Sequence, residues 1–316
     1  QFEHPEARDF PVEGEAFTRE LAVELEFLIK FAREQLEFFD VVLEAGLFDD
    51  EPRLRRWEAQ YNAYMSTRRS TSAENIPFSI EFMWRLHLLA PATYAKDCKQ
   101  AWIGPVFERD SFIRDHAPTW PMVLAADEPS PEHENSFCSM DLVAAAWRQR
   151  EFMLKAVRFA GLRDLDCLRD IVLPRYCRFL FLQRQRPKKI LVPTVDIDLI
   201  WHTHMFFPLH YRAASRVYAD FPLLNHDDTI EEDPLEVQRR ITEATWARHF
   251  TEPYGMHLLA IFAKDLGCSG CSVHQSQSPW RRFSWMAMGG VIAVGSVLGF
   301  AMQPAIVKSF KSTCGG

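Results

Sequence analysis

The sequence predicts an all-α protein: two related multi-helix halves packed as one globular unit, followed by a C-terminal transmembrane helix. Three observations carry this. Apolar residues recur at spacings of three and four along most of the chain, while strand-like alternation is confined to "KKILVPTV", where Pro193 cuts it short. A block in the first half returns without gaps in the second. A long uncharged apolar run lies near the C-terminus.

Composition bounds the function. With 316 residues, 47% of them hydrophobic, the chain can bury a sizeable core. The formal net charge is -7 and there is no long basic run, which argues against a nucleic-acid or general anionic-lipid surface. The seven cysteines are odd in number. Four of them, Cys98, Cys138, Cys167 and Cys177, sit in apolar helical text, which suits reduced intracellular thiols better than a disulfide framework. No signal-like apolar region follows Gln1. Nucleophile-elbow, phosphate-loop, dinucleotide and kinase signatures are absent from the sequence.

In chain order, a tail over 1–14 precedes a first helical half, 15–128, and a second, 136–258. The first opens with a helix over 15–45, where Leu21, Leu25, Leu28, Ala32, Leu36 and Phe39 form one stripe. The polar, proline-bearing "DEPSPEHEN" separates the halves. Residues 140–160 repeat the helical spacing. A Cys-containing linker, 259–284, leads to the apolar run 285–307 and a short tail, 308–316.

The repeated block is "SIEFMWRLHLLAPATY" (79–94) against "DIDLIWHTHMFFPLHY" (196–211). Trp84 matches Trp201, His87 matches His204, Pro91 matches Pro208 and Tyr94 matches Tyr211. Ser79 and Asp196 are suited to cap a helix. Pro91 and Pro208 are suited to open the next one, so each block reads as helix, corner, helix. Tryptophan and histidine three apart share a face. Trp84, His87, Trp201 and His204 are therefore assigned to structure, with indole packed on a hydrogen-bonded imidazole.

The halves differ at a second face. Glu81 and Arg85, four apart, read as a surface ion pair; their counterparts are Asp198 and His202. A carboxylate that fixes an imidazole suits a base or a metal ligand. With His226 and Asp227 from "NHDDT", Asp198 and His202 make a candidate site for zinc or non-haem iron. The alternative for "HDDT" is a turn ahead of a helix. "CSGC", Cys268 to Cys271, is half of a zinc knuckle without its partner half.

The strings "LVPTVDIDLIWHTHMFFPLHY", "NHDD" (225–228) and "TEATWARHFTEPY" (242–254), with "IPFSIEFMWRLHLLAPATYAKDC" in the first half, resemble the glycine-rich domain-containing protein family of plants and fungi. The resemblance covers about residues 15 to 258. It implies a role in stress and developmental signalling, without a catalytic activity to carry over. Plant relatives append a glycine-rich tail and RNA-recognition-like sequence. This chain has no "KGFGFVxF"-type string, so RNA binding is not implied.

The run 285–307 carries no charged residue; Arg281 and Arg282 precede it, Trp280 and Trp285 are placed to sit at the interface, and Lys308 and Lys311 follow it. Gly295 and Gly299 would let two such helices approach as a homodimer. The expected protein is a single-pass, tail-anchored membrane protein with a cytosolic body that serves as an interaction or regulatory module for a protein partner. The alternative function is a metal-dependent hydrolase or oxygenase using the Asp198/His202/His226 region.

Overall fold

Apolar spacing of three and four becomes helix wherever the computed structural model describes the chain, which is over residues 10–67, 76–100, 136–186, 190–230 and 232–255. All of these belong to one unit, Gln1–Cys268, and among them there is no β-strand. The helices are α1 (Phe10–Glu24), α2 (Leu28–Glu44), α3 (Glu51–Thr67), α4 (Phe78–Leu88) and α5 (Pro91–Gln100), then α6 (Leu142–Val157), α7 (Leu173–Gln185), α8 (Val195–Met205), α9 (Pro208–Tyr218) and α10 (Glu232–His249). A single turn, Leu165–Cys167, and a π-helical stretch, Leu168–Val172, lead into α7.

The stripe expected over 15–45 is real but belongs to two helices. The chain turns at 25–27, because α1 lies along α7 while α2 packs against α6 and α8. On α2, Leu28, Ile29, Ala32, Leu36, Phe39 and Val42 are buried as one stripe. Gly46, at φ 62°, ends that helix in the left-handed conformation that favours glycine. The strand-like text "KKILVPTV" forms no strand where it is described: residues 190–194 belong to no regular element, and α8 begins at Val195. The Val192 backbone is satisfied by side chains instead: Val192 N–H donates to Thr242 Oγ1 (3.0 Å), and Tyr254 O–H donates to the Val192 carbonyl (2.5 Å).

The corners fall where the prolines place them. α5 starts at Pro91 and α9 starts at Pro208. The expected caps do not. Pro77 and Thr194 flank the starts of α4 and α8, which puts Ser79 and Asp196 inside the first turns. Asp196 is fully buried and accepts from Arg175 Nε at 2.6 Å. Arg175 also donates to the Tyr254 carbonyl at 2.6 Å and lies 5.2 Å over the Trp246 ring. One guanidinium thus ties α7, α8, α10 and the segment after it.

A small cavity between the two corners is lined by Leu88, Pro91, Tyr94 and Ala95 on one side and by Met205, Pro208, Tyr211 and Arg212 on the other, with Leu223. Each of the first four has its counterpart 117 positions on. Cys98, Cys138, Cys167 and Cys177 are buried and form no disulfide. Among the described residues, no helix is long and apolar enough to cross a membrane. The run 285–307 and "CSGC" lie outside the described residues.

Candidate metal centre

The paired tryptophans and histidines are buried in both halves: Trp84, His87 and His204 are 0% exposed and Trp201 4%. In each half a tyrosine joins the indole to the imidazole. Trp84 Nε1 donates to Tyr94 O–H at 3.1 Å, and Trp201 Nε1 to Tyr211 O–H at 2.8 Å. Each tyrosine ring meets its histidine edge-on, at 5.0 Å for Tyr94 with His87 and 5.1 Å for Tyr211 with His204. A second tyrosine, from the preceding helix, bonds each Nδ1: Tyr61 to His87 at 2.9 Å, Tyr176 to His204 at 2.8 Å. His204 Nε2 lies 2.8 Å from His210 Nδ1, so both of its nitrogens are bonded. Burial, reinforced by His210, pushes the His204 pKa well below its ordinary value.

The second face holds the candidate site. Helix α8 carries Asp198 and His202 one turn apart, and the segment after α9 returns to bring His226 against them. His202 Nε2 is 3.2 Å from Asp198 Oδ1 and 3.1 Å from His226 Nε2. All three donor atoms lie within 4.8 Å of one another. His226 Nδ1 lies 2.8 Å from the Leu89 carbonyl. That carbonyl only accepts, so Nδ1 carries the proton and, in a neutral ring, Nε2 presents a lone pair to the cluster. Among the described residues, Asp198 Oδ1 has no aligned hydrogen-bond donor and His202 Nδ1 no hydrogen-bond partner. Burial works against the Asp198 charge, but His202 and His226 outweigh it and hold the carboxyl below its usual range. Burial, and then His202, pushes His226 down. The ionised carboxylate therefore faces a neutral His226 imidazole in a poorly hydrated place.

Asp227 is not brought into this cluster. Its Oδ1 accepts from Thr229 N at 3.0 Å and Thr229 Oγ1 at 2.6 Å, a local turn. Its neighbour Asp228 binds Arg148 Nε at 3.0 Å and Gln149 Nε2 at 3.1 Å, which anchors the loop to α6.

The counterpart pair in the first half is not a surface ion pair. Glu81 is 3% exposed and Arg85 8%, with Arg85 Nε 2.6 Å from Glu81 Oε1. The guanidinium also hydrogen-bonds Gln35 and lies 3.9 Å over Phe38. The spacing gives the pairing but not the depth, because α4 is buried around nearly its whole circumference, Glu81 and Arg85 included. His202 occupies a similar setting, with the Phe152 ring of α6 at 4.4 Å. Sequence reasoning missed Tyr61, Tyr176, His210 and the Leu89 carbonyl. Tyr61 and Tyr176 come from the preceding helices, outside the block. His210 and Leu89 lie inside the two blocks, but helical spacing does not show that His210 reaches His204 or that the Leu89 carbonyl reaches His226 in the other half.

Comparison with known proteins agrees with the resemblance read from the block. A family model described as glycine-rich domain-containing protein-like matches residues 109–214. Glycine-rich domain-containing protein 2 of Arabidopsis thaliana is 29% identical over 265 residues, covering 72% of this chain and 33% of that protein. Glycine-rich domain-containing protein 1 of the same plant is 29% identical over 287 residues, covering 78% and 34%. The chain is a distant homologue of the glycine-rich domain-containing proteins. It spans about a third of the length of these curated relatives. The family match takes in Asp198 and His202 and stops short of His226. No solved structure matches.

Proposed function

We propose that this protein is a membrane-tethered helical binding module, built by internal duplication, whose second half holds a divalent transition-metal ion at Asp198, His202 and His226. The observation that carries the reading is the convergence of three donors with no Lys or Arg ion-paired to Asp198 among the described residues. In the first half, Glu81 has Arg85. At the corresponding place the part-buried Asp198 meets, among the described residues, the imidazoles of His202 and His226 in place of a guanidinium, and a desolvated carboxylate without a permanent cation is costly. Tetrahedral zinc at about 2.0–2.1 Å from nitrogen and oxygen donors sets those donors about 3.3–3.4 Å apart, close to the 3.1 and 3.2 Å separations here. The Leu89 carbonyl on His226 Nδ1 is the kind of outer partner that fixes a ligating tautomer.

Duplication is supported by the matched tyrosine–histidine–tryptophan networks and by the paired lining of the central cavity. The tether is supported by the uncharged run 285–307 and its aromatic and basic flanks. Two histidines and a carboxylate leave coordination positions for water or substrate, and the Asp198 side chain is 19% exposed. That favours, as the second reading, a metal-dependent hydrolase or oxygenase.

Metal analysis of the full chain tests the reading. His202→Ala and His226→Ala should each lower bound zinc or iron by one equivalent, with helical circular dichroism retained. Equal metal content in wild type and both variants would remove the proposal. Activity that appears with metal and vanishes in His202→Ala would favour the enzyme.

A further inference from the structure

We propose that the first half holds a second divalent-metal site, made of sulfur, nitrogen and oxygen donors from Cys138, His87 and Asp97. It rests on residues separate from the second-half centre. The three side chains come from three segments: His87 from α4, Asp97 from α5, and Cys138 from the stretch just before α6. All are buried, at 0%, 1% and 5% exposure, and their donor atoms lie within 4.8 Å of one another.

Two of the polar groups are left wanting. His87 Nε2 is 3.2 Å from Asp97 Oδ2, yet among the described residues it makes no aligned hydrogen bond, and Asp97 Oδ1 has none. A sealed carboxylate oxygen without a donor is destabilising, and a cation shared with Nε2 removes that cost.

The frame around the donors is held by other groups. Tyr61 O–H bonds His87 Nδ1 at 2.9 Å, which directs Nε2 into the cluster. Asn62 Oδ1 accepts from Cys138 N at 2.8 Å, and Ser139 N donates to Asp97 Oδ2 at 2.8 Å. Backbone and carboxylate are therefore fixed before any ligand arrives.

A nucleophilic role for the thiol does not suit the place. Cys138 is sealed from substrate, and its S–H donates to the Met140 carbonyl at 3.5 Å. Thiolate, imidazole and carboxylate together select zinc-class ions over calcium or magnesium. On binding, the S–H bond breaks, the sulfur–metal bond forms, and one proton leaves to solvent.

The sulfur separates this site from the second-half centre, which has none. The full chain carrying Cys268→Ser and Cys271→Ser is titrated with cobalt(II), and the thiolate-to-cobalt charge-transfer absorption is followed. The band is expected in this background, retained with His202→Ala added, and lost with Cys138→Ser added. Serine keeps a hydroxyl donor for the Met140 carbonyl, and circular dichroism checks that the fold is intact. No band in the background protein would overturn the proposal, and so would a band that survives Cys138→Ser. A band lost only with Cys138→Ser, together with a total metal content that His202→Ala leaves unchanged, would leave this site standing and remove the other.

Discussion

Arg85→Ala separates a buried ion pair from an exposed one. The Arg85 and Glu81 side chains are 9% and 3% exposed, with Nε 2.6 Å from the carboxylate. Removing the guanidinium leaves Glu81 buried and without its cation, and strips the contact over Phe38 at 3.9 Å. Breaking a buried pair from one side costs about 3–5 kcal/mol, against about 0–1 kcal/mol for an exposed pair. At about 2–4 °C per kcal/mol for a body of this size, the melting temperature should fall by about 10 °C. Urea denaturation followed by tryptophan fluorescence reads the same loss as a lower midpoint at unchanged slope. The double variant Glu81→Leu, Arg85→Met removes both charges at similar volume and should recover about half of it. A remainder of about 1–3 kcal/mol is expected from Gln35, left without its partner. A loss under about 1 kcal/mol for Arg85→Ala, or a double variant no better than the single, would refute the reasoning.

Trp84→Ala and Trp201→Ala should each cost about 3–5 kcal/mol in urea denaturation, because both indoles are buried and anchored to a tyrosine hydroxyl. Tyr211→Phe should cost about 1–3 kcal/mol by the same assay, since its hydroxyl accepts from Trp201 and donates to the Leu224 carbonyl at 2.8 Å. His87 and His204 have pKa values lowered from 6.5, chiefly by burial. Below that value the unfolded chain takes up protons that the folded chain refuses. Stability is therefore complete above about pH 6.5 and falls as pH drops below it, by about 1.4 kcal/mol per pH unit for each histidine. Urea midpoints that stay level or rise between about pH 6.5 and pH 5 would contradict this sign.

The helices were legible because their apolar stripes are local. The stripe on α2 and the proline-opened α5 and α9 follow from spacing and ring chemistry alone. The turn at 25–27 was not legible: the sequence there is still helix-forming, and the break reflects which partner each piece meets. Of the candidate ligands, Asp198 and His202 are bound together by helical spacing, which any reader of the block can compute. His226 needed the chain to return from α9, and choosing it over Asp227 needed the loop's actual course. The depth of Glu81 and Arg85 was hidden for a related reason. A charge pair four apart looks the same in sequence on either face, and tertiary packing, with Gln35 and Phe38 of α2 and Phe206 after α8 against the guanidinium, puts it inside.

The most direct test of the account grafts the first half's solution onto the second. Asp198→Glu with His202→Arg replaces the carboxylate–imidazole pair by the residues that stand at the corresponding place, Glu81 and Arg85. Guanidinium charge then balances the carboxylate, and the reason for a bound cation is gone. Metal content of the full-length variant and of wild type is measured side by side, at equal protein and with circular dichroism on both. The account predicts a folded variant that holds one metal equivalent fewer than wild type. A folded variant with the same metal content as wild type would contradict it.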